Sequence, residues 1–237
     1  MGALAIWFRS PASEWLEALP VGNGLLGAMV FDGVDLERLQ VNEKTLWSGC
    51  PLDLERPDAW RYVRRARELL FEGRYCEAEE LVRKHVMVHP PREGGDTLHS
   101  YQMLCDVFIE LGRAGAASGY RRGLDLREAI AWVEYEQGGA LHRREVFASF
   151  ADKALVIRLS SIGQEGWPFS VRLERRNAEV TAEGDALVLG GRARCPCHGE
   201  GVEYAAALKA LAEGGVVEAE RGRLKVKGAR KHIVKPV

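Results

Sequence analysis

Between Gln40 and Gly49 the chain reads Gln-Val-Asn-Glu-Lys-Thr-Leu-Trp-Ser-Gly. The Asn42 amide and the Glu43 carboxylate offer donors and acceptors for hydroxyl groups, and the Trp47 indole offers a flat apolar face for a ring. Together these are the groups of a site for a polyhydroxylated ligand such as a sugar. A plainer reading competes with it: Asn42 and Thr45 cap a turn while Trp47 fills the core, and composition alone favours that one.

Other constellations carry less chemistry. Gly22-Asn23-Gly24-Leu25-Leu26-Gly27 has the spacing of a dinucleotide fingerprint, with Glu43 further on. That motif needs a strand before it and a helix after it, because the helix N-terminus holds the pyrophosphate. Here Pro20 interrupts the preceding segment and the apolar run Leu25–Phe31 follows, so Asn23-Gly24 reads as a turn and no cofactor is expected. Cys195-Pro196-Cys197-His198 has zinc-type ligand chemistry, but three ligands within four residues close badly around a tetrahedral ion, and no second cluster supplies a fourth; no metal is expected. Arg61, Arg64, Arg65 and Arg67 are followed closely by Glu68, Glu72, Glu77, Glu79 and Glu80, the mixed pattern of solvated helix faces. Glycoside cleavage needs two carboxylates at fixed separation, and no pair can be chosen among 34 acidic residues.

The elements that must position these residues follow from hydrophobic period. Short apolar runs at Ala3–Phe8, Leu25–Phe31 and Leu36–Val41, bounded by Gly, Asp and Pro, read as strands. From Pro57 to His85 the period becomes helical, with Ala59, Val63, Ala66 and Leu70 before Gly73 and Ala78, Leu81, Val82 and His85 after it. Strand signals return at Gln102–Leu111, Tyr120–Leu126, Ala129–Tyr135, Leu141–Phe150, Ala154–Leu159, Phe169–Leu173, Ala186–Leu189, Tyr204–Leu211 and Leu224–Val226. Glu136-Gln137-Gly138-Gly139 marks a hairpin turn. The spacing predicts a mainly β, antiparallel β-sandwich with an inserted pair of short helices over about 57–88, one domain across residues 1–237. The C-terminal run Arg230–Val237, with two lysines and a proline, reads as poorly suited to a buried central strand.

The chain has 33 basic and 34 acidic residues, a net charge of −1, too balanced for a dedicated nucleic-acid binder. No stretch approaches the roughly 18 apolar residues of a membrane span. Five irregularly spaced cysteines, with no signal-peptide pattern at the N-terminus, predict a cytoplasmic protein.

Several segments, in order, resemble the N-terminal domain of glycoside hydrolase family 95, the α-L-fucosidase family. These are Ala18–Phe31, Glu37–Gly49, Arg67–Tyr75, Tyr101–Val107, Tyr120–Arg122 with Leu124–Leu126, and Arg144–Ser149. Cys105 stands where that family usually has glycine, and Cys50 where a second glycine is common. The resemblance implies a supersandwich fold and a non-catalytic role. In the family, a large (α/α)6 barrel holds the general acid and the water-activating residues and inverts configuration; no position here matches those residues, and this chain by itself is expected to be inactive. The implied partners are that barrel, in cis or as a separate chain, and fucosylated or galactosylated oligosaccharides. Asn42, Glu43 and Trp47 are the residues this domain could lend to the rim of a sugar site. A free-standing carbohydrate-binding module and a purely structural partner are the alternatives.

Overall fold

The computed structural model describes residues 4–49, 55–88, 99–112, 115–163, 167–194 and 201–228, and the backbone of 231–236. Two compact units divide the chain: one of residues 1–46, 101–193 and 203–237, the other of 47–100 and 194–202.

Among its described residues the first unit is β apart from one 3-10 turn at Trp15–Glu17, in line with the mainly β expectation. One sheet has nine strands in the order β1 (Ala5–Phe8), β6 (Ser118–Asp125), β7 (Ile130–Gln137), β8 (Ala140–Ser149), β9 (Ala154–Ile162), β16 (Lys231–Pro236), β13 (Glu203–Glu213), β12 (Ala186–Arg192) and β11 (Glu179–Glu183). The other has seven: β14 (Val216–Glu220), β15 (Arg223–Lys227), β10 (Phe169–Glu174), β5 (Cys105–Glu110), β4 (Leu36–Glu43), β3 (Leu26–Val30) and β2 (Leu19–Gly22). Alternate residues of both sheets, among them Leu39, Val107, Ile109, Leu155, Ile157, Leu187 and Leu208, are fully buried in one apolar cluster, the period-2 burial of a sandwich. Cys105 belongs to this cluster, and burial pushes its thiol up to about 12.

Turn chemistry behaves as the residues dictate. Gly138 and Gly139 both take positive φ between β7 and β8, as a two-residue hairpin requires. Asn23 Oδ1 accepts from the backbone N–H of Leu25 (3.0 Å) and Leu26 (2.8 Å), and Gly24 has φ 84°, so the glycine-rich segment is the β2–β3 hairpin. The segment before it is nevertheless a strand despite Pro20. It forms the edge of its sheet, where a missing N–H is tolerated.

The C-terminal strand corrects a second expectation. β16 lies between β9 and β13, paired with both. Pairing to β9 spans only Lys231 to Val234, so Pro236 sits beyond it and faces β13 alone; the residue that cannot donate stands where one ladder has ended.

In the second unit, α1 (Ala59–Phe71) and α2 (Tyr75–His85) flank Gly73, which has φ 75°. The face of α1 that is buried holds Ala66 and Leu69, while Val63 and Leu70 of the expected stripe are exposed. Tyr62 stacks on His85 with centroids 4.0 Å apart. Arg65 pairs with Glu68 and Arg74 with Glu77 across one helical turn, the solvated charge pattern read from the sequence. No described helix is long and apolar enough to cross a membrane.

The sandwich also buries charge. Glu37 on β4 and Arg144 on β8 form an ion pair between the two sheets, with side chains 0% and 2% exposed. Glu37 Oε1 accepts from the N–H of Asp32 and Arg38, each at 2.9 Å. Arg144 Nη2 donates to the Gly33 carbonyl at 2.8 Å, and the Tyr120 hydroxyl to the Asp32 carbonyl at 2.7 Å. Asp32 itself is buried at φ 60°. Burial, then the nearby Glu37, push its carboxyl well above the usual carboxylate range, against the pull of Arg144 and Arg122. An unfolded Asp titrates near 3.9. Above that value, until Asp32 itself ionises, the folded chain therefore holds the extra proton and stability falls as pH rises. Asp32→Asn keeps the shape, suits the left-handed backbone and removes that titration. Urea denaturation of both proteins from pH 5 to 8 is expected to show the variant gaining on the parent as pH rises. A constant difference across that range would refute a neutral Asp32. Arg144→Met, which strands Glu37, is expected to cost about 3–5 kcal/mol at neutral pH.

Candidate functional site

β4 delivers the candidate residues. Glu37, Leu39 and Val41 face the core, so Arg38, Gln40 and Asn42 stand on the outer face of the seven-stranded sheet. On that face Arg38 holds Asp106 with two bonds, Nε–Oδ1 at 2.8 Å and Nη2–Oδ2 at 3.1 Å. Asn42 is half-buried opposite Gly27, and Glu43 ends the strand opposite Leu26.

The turn after the strand is built by Glu43, not by Asn42. Its Oε2 accepts from the Thr45 N–H at 2.9 Å and from the Thr45 hydroxyl at 2.6 Å. Its carbonyl accepts from the Leu46 N–H at 3.2 Å and from the Tyr101 hydroxyl at 3.0 Å. Lys44 N–H reaches the Leu25 carbonyl at 3.0 Å, which joins this turn to the Asn23–Gly24 hairpin. Glu43 therefore acts first as the fastener of its own loop, with one carboxylate oxygen committed to Thr45. Burial and then Glu43 raise the Tyr101 phenol, so Tyr101 stays a neutral donor.

Trp47 does not fill the core; it is 46% exposed. It also belongs to the second unit, whereas Asn42 and Glu43 belong to the first. In the second unit the Ser48 N–H donates to the Ser100 carbonyl at 2.8 Å, and Gly49, at φ 97°, donates to the Arg194 carbonyl at 3.1 Å. A Cβ at Gly49 would fall 2.1 Å from the His99 ring, so glycine is required there by both conformation and space. Tyr101 was not among the sequence candidates. A tyrosine in the segment ahead of β5 gives no sign of which backbone its hydroxyl will reach.

Among the described residues no cluster of three or more His, Cys, Asp or Glu could hold a metal ion. Cys50 and Cys195-Pro196-Cys197-His198 lie outside the described residues.

Residues 6–235 match the family described as glycosyl hydrolase family 65, N-terminal domain. The chain belongs to that family. Among curated relatives, it is similar to alpha-L-fucosidase 2 of Arabidopsis thaliana, 30% identical over 81% of this chain and 22% of that protein. It is also similar to probable alpha-fucosidase A of Aspergillus niger, 32% identical over 67% of this chain and 20% of that protein. The chain thus spans about a fifth of the relatives' length. A solved putative kojibiose phosphorylase from human microbiome aligns with 52% of this chain and 19% of its own at TM-score 0.30 and 9% identity, too distant to bear on the argument. The chain is thus an N-terminal domain of the kind found in glycoside hydrolase-like proteins.

The geometry makes Glu43 the sensitive point of the loop. Glu43→Ala removes both bonds to Thr45 and is expected to destabilise this turn by about 1 kcal/mol. Backbone amide exchange at Thr45 should speed up, with the core strands unchanged. Unchanged protection at Thr45 would show that the carboxylate does not fasten the turn.

Proposed function

We propose that this chain is the N-terminal, non-catalytic β-domain of an α-L-fucosidase-like glycoside hydrolase of the family 95 type. It supports an (α/α)6 barrel, in cis or as a separate polypeptide, and lends Asn42, Glu43 and Trp47 to the rim of the barrel's sugar site. The observation that carries this reading is the similarity to two fucosidases, which covers most of this chain but only 22% and 20% of theirs. Inverting hydrolysis needs an acid and a base about 6.5–9.5 Å apart across the sugar. Among the described residues the fully buried carboxylates are Asp32 and Glu37, both shut off from solvent, and Glu43 is bound to its own turn. In this proposal the acid and base come from the barrel and the protein is cytoplasmic, a reading that the irregular cysteine usage supports. The exposure of Trp47 favours one second reading, a carbohydrate-binding module whose loop stacks on a terminal fucose or galactose.

The test is hydrolysis of a chromogenic α-L-fucoside by the purified 237-residue chain, alone and with a separately expressed barrel. The chain alone is expected to give no turnover and the pair to exceed the barrel alone. In the pair, Trp47→Ala should raise KM several-fold and leave kcat nearly unchanged. Turnover by the chain alone that survives further purification would place catalytic residues within it and overturn the division of labour.

A further inference from the structure

The outer face of the nine-stranded sheet carries a second aromatic site, far in sequence from the Trp47 loop. One cross-strand ladder runs in register through five strands: Trp7 on β1 opposite Gly123 on β6, Gly123 opposite Trp132 on β7, Trp132 opposite Glu145 on β8, and Glu145 opposite Arg158 on β9. Their inward neighbours Leu124, Val133, Val146 and Ile157 are buried, so these five positions face outward. Trp7 is 52% exposed, and the Arg9 guanidinium lies 5.4 Å from its ring centroid. Trp132 is half-buried because its indole settles over Gly123, where a Cβ would come within 2.8 Å of Trp132 Cζ2 and 2.7 Å of the Ile6 carbonyl oxygen. The backbone positions of Trp7 and Trp132 stand two strand spacings apart, about 9.5 Å, and the absence of a side chain at Gly123 lets the Trp132 indole lie in the row between them.

Charged side chains continue the row. Glu145 pairs with Arg158 at 3.0 Å and with Arg143 at 2.9 Å, and Arg143 also pairs with Glu134. The core of a protein–protein interface is depleted of charge. Here the indoles run directly into a fixed carboxylate–guanidinium lattice. Flat apolar rings beside planar, multidentate polar groups fit a ligand with apolar C–H faces and many hydroxyls at its rim.

The geometry points to a binding site for a neutral oligosaccharide on this sheet face. Trp7 and Trp132 stack against two sugar rings, and Glu145, Arg143 and Arg158 bind hydroxyls at one end. The site lies within the sandwich unit alone and needs neither a barrel nor the Trp47 loop. It holds a glycan chain without cleaving it, a role separate from the rim function proposed above.

The intact chain, labelled with 15N, is titrated with cellohexaose, xylohexaose, galactotetraose and a xyloglucan oligosaccharide bearing terminal α-L-fucose. Saturable binding of at least one probe, millimolar or tighter, is expected to move the indole N–H resonances of Trp7 and Trp132. Trp7→Ala should weaken it about tenfold, as should Trp132→Phe, with unchanged circular dichroism and melting temperature for Trp7→Ala; Trp47→Ala should leave it intact. The site is refuted by the absence of saturable binding for all four probes, by binding that Trp7→Ala leaves unchanged, or by binding lost only in Trp47→Ala. Self-association abolished by Trp7→Ala, with no sugar bound, would identify the face as a protein interface and equally refute it. Failure of the barrel reconstitution leaves these outcomes untouched, so the two proposals fail separately.

Discussion

A guanidinium and a carboxylate taken out of water together fix the arrangement of this sandwich. Arg144 comes from one sheet and Glu37 from the other, and both are sealed from solvent. Apolar packing alone would allow the sheets to slide by small steps, because one aliphatic contact substitutes readily for another. An ion pair does not slide: losing one partner leaves a buried charge, at about 3–5 kcal/mol, against a total stability of about 5–15 kcal/mol. The same pair gathers the β3–β4 connection, through the Gly33 carbonyl and the Asp32 N–H. Arg122, also buried, holds the Ser10 and Glu17 carbonyls at 2.7 and 2.9 Å and so ties down the entry to β2.

Much of the architecture could be read from hydrophobic period and turn residues, for reasons visible strand by strand. β5, β9 and β10 alternate apolar and polar residues or bury both faces, and Gly138-Gly139 supplies the dihedrals that a hairpin needs. The strands that escaped were edges or charged. β11 and β14 bury almost nothing, so they lack the apolar run that announces a strand, and β2 carries a proline. The inter-sheet charge was hidden differently. In Leu-His-Arg-Arg-Glu-Val, alternation with Val146 places His142 and Arg144 inward, but a charged residue at an inward position looks like an error of phase until its partner is known. Glu37 sits 107 residues away, and nothing local announces it.

The candidate site shows the same limit at smaller scale. Residue types signalled sugar chemistry between Asn42 and Trp47, while the geometry assigned Glu43 to its own turn and put Trp47 in a different unit. A sequence displays what side chains can do; which of those capacities remain free depends on bonds made first to the backbone.

Placing β16 between β9 and β13 has a consequence for synthesis. A ribosome delivers β9 and β13 about 50 residues apart, and neither finds its common neighbour until Lys231–Pro236 has emerged. Until then the larger sheet exists as two fragments, each ending in an open hydrogen-bonding edge of the kind that recruits other chains. Closure joins residues far apart in sequence, the slow class of contact. The nascent chain is therefore most vulnerable to aggregation just before Lys231–Pro236 emerges, when nearly all core residues of the sandwich are present and the closing ladder of this sheet is not.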